Sequence, residues 1–80
     1  MKLGYRQVRV INSHVGVSRF LEECEDEPVR EIPRNADIRS PYHSSPTHVT
    51  WRFTKTGQEV FIVETRHKHY EVFEVVEVAS

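Results

Sequence analysis

The C-terminal part of the chain places the strongest constraint on the fold. Residues 47–78 contain three runs rich in β-branched and aromatic side chains, separated by the short polar segments 55–58 and 66–69. This composition and spacing are typical of an antiparallel meander. Gly57 supplies the positive φ that a tight hairpin requires. The sequence therefore predicts three consecutive strands, each paired with the next.

The first of these runs, residues 48–54, alternates clearly between apolar and polar side chains. Val49, Trp51 and Phe53 fall on one parity and polar residues fall on the other. Because successive side chains of a strand point to opposite faces, we expect the apolar parity to face the core. The expected solvent-facing residues are His48, Thr50, Arg52 and Thr54.

The second and third runs differ in pattern. Residues 60–63 are apolar on both parities, which predicts a central strand covered on both faces. In residues 70–78, Glu71, Glu74 and Glu77 recur every three residues, as on the wet edge of a helix, but the valines between them favour a strand. A strand puts these glutamates on both parities, so we expect a bulge near Glu74.

The N-terminal part predicts one strand and one helix. Residues 3–11 have a looser alternation and carry arginines, which is typical of an edge strand. Residues 15–25 are predicted to form a short helix, with either Ser13 or Ser18 as its cap. Their apolar side chains recur at i, i+3, i+4 and i+7. These are Val17, Phe20, Leu21 and Cys24.

A proline-rich segment, residues 28–47, is predicted to be a long loop, apart from a short extended piece at 29–32. It is either a recognition loop or a cover for one sheet face. The covering residues would be Ile32, Ile38 and Tyr42. Together the predictions describe residues 1–80 as one α+β domain in the order β-α-(long loop)-β-β-β, with the helix packed on the face of Val49, Trp51 and Phe53.

Cysteine content and hydropathy limit the cellular context. Cys24 is the only cysteine, so an intrachain disulfide and a multi-cysteine zinc site are excluded and a reducing compartment is favoured. The first residues lack the apolar segment of a signal peptide, and no run approaches the length of a membrane span. We therefore expect a cytoplasmic protein without a membrane partner.

Charge is distributed in blocks, although the net charge is only −1. Residues 1–20 carry a net charge of +4 and residues 21–32 a net charge of −5. Opposed blocks favour binding to another protein over binding to nucleic acid. The acids at the end of the helix could instead be solvated or paired with the chain's own arginines. The predicted partner-binding residues are Glu22, Glu23, Glu25, Asp26 and Glu27, with Arg30, Arg34, Arg39 and Tyr42 of the loop.

Nucleic-acid binding is a second hypothesis. Aromatic rings on an open sheet face could stack on the bases of a single strand, with basic residues along the rim. The glutamates of the last run oppose this, because they would repel phosphate. The rings would be Trp51, Phe53, Phe61 and Tyr70. The basic contacts would be Arg52, Lys55, Arg66, His67, Lys68 and His69.

A metal site and an enzymatic function have weaker support. His67 and His69 have a spacing that can begin a metal site, but a third ligand would have to come from elsewhere, and we expect no metal and no cofactor. A small sheet-based endoribonuclease would need histidine, arginine and a carboxylate on one face. The available residues are His48, Arg52, Glu64, Arg66, His67 and Tyr70. No nucleophile elbow or glycine-rich phosphate loop is present, so no catalytic residue is assigned.

Taken together, the sequence favours a non-catalytic protein-binding module that acts by occupying a partner's surface. Inhibitors and accessory factors encoded by phages or mobile elements, such as anti-restriction or anti-CRISPR proteins, have a similar size and composition. No family motif supports that comparison. The outer edge of the last predicted strand would also allow homodimerisation.

Overall fold

The structure is a computed structural model, and it describes residues 2–34, 47–65 and 69–78. These residues form a five-stranded antiparallel sheet and one short helix, so the predicted α+β class is confirmed. The strands are β1 (Lys2–Ile11), β2 (Arg30–Pro33), β3 (Thr47–Arg52), β4 (Glu59–Glu64) and β5 (Tyr70–Val78), and the helix is α1 (His14–Glu22). The order across the sheet is β1-β5-β4-β3-β2.

The last predicted strand is confirmed as β5, but the bulge is not where it was expected. The ladder between β4 and β5 is continuous through Glu74, and the register shift lies in β1 between Gln7 and Arg9. The glutamates of β5 can lie on both faces of the sheet, because β1 supplies a polar partner on each face. Arg6 pairs with Glu74 at 3.1 Å, and Gln7 donates to Glu71 at 3.2 Å.

Strand β1 lies at the edge of the sheet, as predicted, and pairs with β5 from Lys2 to Ile11. Strand β5 therefore has a neighbour on both sides, β1 and β4. The free outer edge of β5 that was expected is therefore not present, and homodimerisation stays a prediction. Strand β4 is central in the same sheet, and Val60, Phe61 and Val63 are each 1% exposed.

Helix α1 begins at the predicted cap and ends earlier than predicted. The Oγ of Ser13 accepts a hydrogen bond from the backbone N–H of Gly16 at 3.0 Å, which satisfies an N–H of the first turn. The helix ends at Glu22 because the following residues turn onto the sheet, where Cys24 forms an isolated bridge with Phe53. Tertiary pairing thus replaces the last helical turn that the apolar periodicity predicts.

One side chain anchors the helix to the sheet. Phe20 is the buried residue of α1, and its ring stacks on Phe53 with 5.2 Å between centroids and 10° between planes. The helix therefore packs on the face that carries Trp51 and Phe53, as predicted. The buried cluster around this contact also contains Ile11, Cys24, Val60, Tyr70 and Val72.

The prediction of a solvent-facing side on β3 is wrong. His48 and Thr50 are 6% and 0% exposed, whereas Val49, on the expected core side, is 41% exposed. The far face of the sheet has its own apolar cluster, in which the ring of His48 stacks on Phe61. Thr50 is buried without penalty because its hydroxyl donates to Glu59 at 2.7 Å. The members of this second cluster are Ile32, Phe61 and Val63, with Tyr5, Phe73 and Val75 packed against them.

The predicted loop also contains a strand. Residues 30–33 form β2, which pairs with β3 at the second edge of the sheet and buries Ile32 on the far face. Pro33 is tolerated because it ends an edge strand, where an N–H is not required for pairing. The other predicted covering residues, Ile38 and Tyr42, lie outside the described residues.

Candidate protein-binding surface

The predicted acidic residues lie in one segment, residues 22–27, which we call the acidic segment. Glu23 lies within 2.5 Å of the Lys55 ammonium, and this contact holds the pKa of Glu23 below its usual value. The remaining four carboxylates are exposed and form no ion pair with any residue that the structure describes. These four are Glu22, Glu25, Asp26 and Glu27.

Backbone hydrogen bonds fix the acidic segment to the end of β3. The Glu25 N–H donates to the carbonyl of Arg52 at 2.9 Å, and the Thr54 N–H donates to the carbonyl of Glu23 at 3.1 Å. The hydroxyl of Thr54 donates to the same carbonyl at 2.6 Å. The carboxylates are therefore presented from a backbone that is already ordered.

The predicted basic half of the surface is not assembled in the same way. Arg30 forms a bidentate pair with Glu59, with distances of 2.7 and 2.9 Å, on the face away from α1. The Arg30 guanidinium lowers the pKa of Glu59, and the hydroxyl of Thr50 lowers it further, against the effect of burial. Arg34 is half-buried, and Arg39 and Tyr42 lie outside the described residues. Arg30 thus stabilises the fold between β2 and β4.

A groove that the sequence did not predict lies beside α1 on the helix-side face. Its volume is about 350 Å³. Side chains from one helix and three strands line it, most of them apolar, and a carboxylate stands among them. The lining residues are Val17 and Leu21 of α1, Thr47, His48, Val49 and Trp51 of β3, Ile62 and Glu64 of β4, and Tyr70 of β5. We call this feature the groove.

The proposed nucleic-acid platform is largely covered. Phe53, Phe61 and Tyr70 are 8%, 1% and 5% exposed, so their rings are not available for stacking on bases. Trp51 is half-buried in the groove. Arg52 donates to the carbonyl of Gly57 at 3.0 Å, Lys55 pairs with Glu23, and His69 is exposed. The other basic residues of this hypothesis, Arg66, His67 and Lys68, lie outside the described residues.

The residues considered for catalysis are divided between the two faces of the sheet. His48 and Arg52 share the parity of the far face, whereas Glu64 and Tyr70 lie on the helix side. The Tyr70 hydroxyl contacts Nε2 of His14 at 2.9 Å, and burial raises the pKa of Tyr70. Within the described ranges, no three histidine, cysteine or acidic side chains lie close enough to hold a metal ion.

Cys24 is a packed side chain in the core under the helix. It is 5% exposed, and its Sγ lies 3.5 Å from the carbonyl of Phe20. Burial raises the pKa of the thiol, and the neighbouring Glu23 carboxylate raises it further. A thiol that is buried and protonated is a poor nucleophile, so Cys24 contributes to packing in this fold.

Comparisons with protein families, curated proteins and solved structures find no match to this chain. No helix among the described residues is long and apolar enough to cross a membrane. The function is therefore inferred from the surface residues and their contacts.

Proposed function

We propose that this protein is a non-catalytic binding module that recognises a cationic surface of another protein through its acidic segment. The observation that carries the proposal is the set of four exposed carboxylates without an ion pair in the described part of the chain. They stand on a backbone fixed by hydrogen bonds to β3. A small inhibitor or accessory factor of the kind encoded by phages or mobile elements would act in this way, by covering a site on its partner.

Three physical effects support this proposal. Carboxylates held close together repel one another, and a partner's arginines and lysines would relieve that repulsion on binding. Because the backbone of the segment is already ordered, binding would immobilise side chains only, which limits the entropy lost on association. Charge of one sign concentrated on one surface also accelerates association with a partner of the opposite sign.

Charge reversal tests the proposal, with a control of equal net charge. Glu25→Lys/Glu27→Lys changes the acidic segment, and Glu31→Lys/Glu77→Lys changes two exposed glutamates elsewhere. Each pair of substitutions raises the formal net charge from −1 to +3. The measurement is capture of a stoichiometric protein from a lysate of the cells that make this chain, at low and at high salt.

We expect the wild type and the control to capture the same protein, with capture weakening as salt rises, and Glu25→Lys/Glu27→Lys to lose it. Equal loss in both variants would show that net charge matters and the acidic segment does not. Failure to capture any protein would contradict the proposal. Capture of RNA in place of protein, with a steep salt dependence in a gel shift, would favour the nucleic-acid hypothesis.

A further inference from the structure

The groove lies where β3 changes its pairing partner from β2 to β4. Strand β3 pairs with β4 through Trp51 and Arg52, and its earlier residues pair with β2 instead. Strand β4 continues to Glu64 in its ladder with β5. On the helix side, the start of β3 and the end of β4 therefore border the groove, and α1 closes it laterally with Val17 and Leu21.

The chemistry of the groove is that of an apolar slot with a charge at one end. Val49 is 41% exposed although it shares the apolar parity of β3, because α1 covers Phe53 and does not extend over Val49. Glu64 is half-buried and forms no ion pair with a described residue. The neighbouring Tyr70 hydroxyl is already engaged by His14. A ligand that fits would therefore combine an apolar group with a cation.

We propose that the groove binds an extended segment of the protein partner, with an apolar side chain over Ile62 and a lysine or arginine paired with Glu64. This inference rests on the proposed function and identifies a second, separate contact. Ile62 and Glu64 are two positions apart on one face of β4, so they are about 6.6 Å apart along the strand. An extended partner running along β4 matches that spacing with an apolar residue and a basic residue two positions apart.

The size of the groove favours such a segment over a folded element. A volume of about 350 Å³ is at the low end for a ligand pocket, and it accommodates one large side chain with part of a second. A helix, about 10 Å wide with its side chains, is too thick to enter it. Extended peptides are typically recognised in this way, with alternate side chains held in pockets.

Peptide titrations followed by methyl NMR test the inference directly. The probes are three capped pentapeptides: TFTKT, which has the proposed spacing, TFKTT, in which the basic residue is adjacent, and TFTET, in which the charge is reversed. We expect TFTKT to shift the methyl signals of Val17, Leu21, Val49 and Ile62 in a saturable manner. TFKTT is expected to bind more weakly, and TFTET more weakly still, because its carboxylate faces Glu64.

Variants of the protein locate the binding site. Glu64→Gln removes the charge but keeps an acceptor oxygen, so it should weaken TFTKT about five- to tenfold, the difference between a charged and a neutral hydrogen bond. Val49→Lys puts a long side chain into the groove and should abolish binding. Val15→Lys is its matched control, since Val15 is a 63% exposed valine outside the groove. It should bind like the wild type.

The outcomes separate this inference from the proposed function. Absence of shifts at the groove methyls, or equal affinity of Glu64→Gln and wild type, would overturn the groove contact. A simple alkylamine that binds as tightly as TFTKT would show that the site takes a small amine and not a peptide segment. If partner capture survives Val49→Lys but is lost in Glu25→Lys/Glu27→Lys, the proposed function stands and this inference fails.

Discussion

Truncating Phe20 should remove most of the attachment between the helix and the sheet. Phe20 is 4% exposed, and burial of such a ring contributes about 1.5–3 kcal/mol. Its stacked contact with Phe53 adds about 0.5–1.5 kcal/mol, and the Arg9 guanidinium 5.0 Å from the ring centroid adds about 0.5–1 kcal/mol. These contributions agree with the loss of about 3–5 kcal/mol that is usual for truncating a buried phenylalanine to alanine.

The expected loss is large compared with the stability of a domain of this size. For 80 residues, the free energy of unfolding is about 4–12 kcal/mol. Phe20→Ala should therefore leave the protein marginally folded at best. Phe20→Leu keeps most of the volume and should lose less than about 1.5 kcal/mol.

Urea denaturation gives the measurement, and the chain contains its own probe. Trp51 is the only tryptophan and packs against the cluster that contains Phe20, so its fluorescence reports on this core. Val15→Ala is the control on the same helix, because Val15 is exposed, and it should stay within about 0.5 kcal/mol of wild type. A loss below about 1 kcal/mol for Phe20→Ala would refute the view that this ring anchors the helix.

Two further groups of predictions concern, first, Gly16 and Gly57 and, second, the stability at low pH. Gly16→Ala should destabilise the protein by about 1–2 kcal/mol despite the helix propensity of alanine, because the new Cβ would lie 2.6 Å from Cγ2 of Ile11. Gly57→Ala meets no neighbour, but its φ of +72° should still lower the stability by about 1 kcal/mol. Equal stability of either variant and wild type in urea would contradict these reasons. The second group concerns Glu59, whose folded pKa is lowered chiefly by Arg30. The ionised carboxylate contributes fully to the free energy of unfolding above the unfolded pKa of about 4.3, and this contribution is lost as pH falls through the folded pKa. Glu59→Gln should reduce the fall in the free energy of unfolding, measured with urea, between pH 5 and pH 3. An unchanged fall would show that Glu59 is not a source of this pH dependence.

Sequence patterns correctly predicted the elements that depend on residues close together in the chain. The turn at Gly57 and the cap at Ser13 each depend on residues a few positions apart. The alternation of β3 located the strand but not the burial of His48 and Thr50, because β2 and Phe61 on distant parts of the chain cover that side. The end of the helix did not follow from them, because the bridge between Cys24 and Phe53 joins residues far apart in the sequence. Strand β2 was missed as a full strand because its apolar signal is mainly Ile32, and it forms by pairing with β3.

The acidic segment and the groove differ in how far apart their residues lie in the sequence. The acidic segment is contiguous, so its composition is visible in the sequence before its geometry is known. The groove is assembled from separate elements. Its residues Val17, Leu21, Val49, Trp51 and Ile62 were predicted to be core, whereas Glu64 was named only as a candidate for catalysis. What the sequence did not reveal is that Val49 would remain 41% exposed beside the helix.

One packing contact positions both parts of this surface. The ring of Phe20 rests on Phe53, and Phe53 also bridges to Cys24, where the acidic segment leaves the helix. The turn of α1 that carries Phe20 also carries Leu21, which lines the groove. Displacing this contact would therefore move the acidic segment and a wall of the groove together. A partner that engages both would gain affinity from their fixed separation, because binding one would bring the other into register without further loss of freedom.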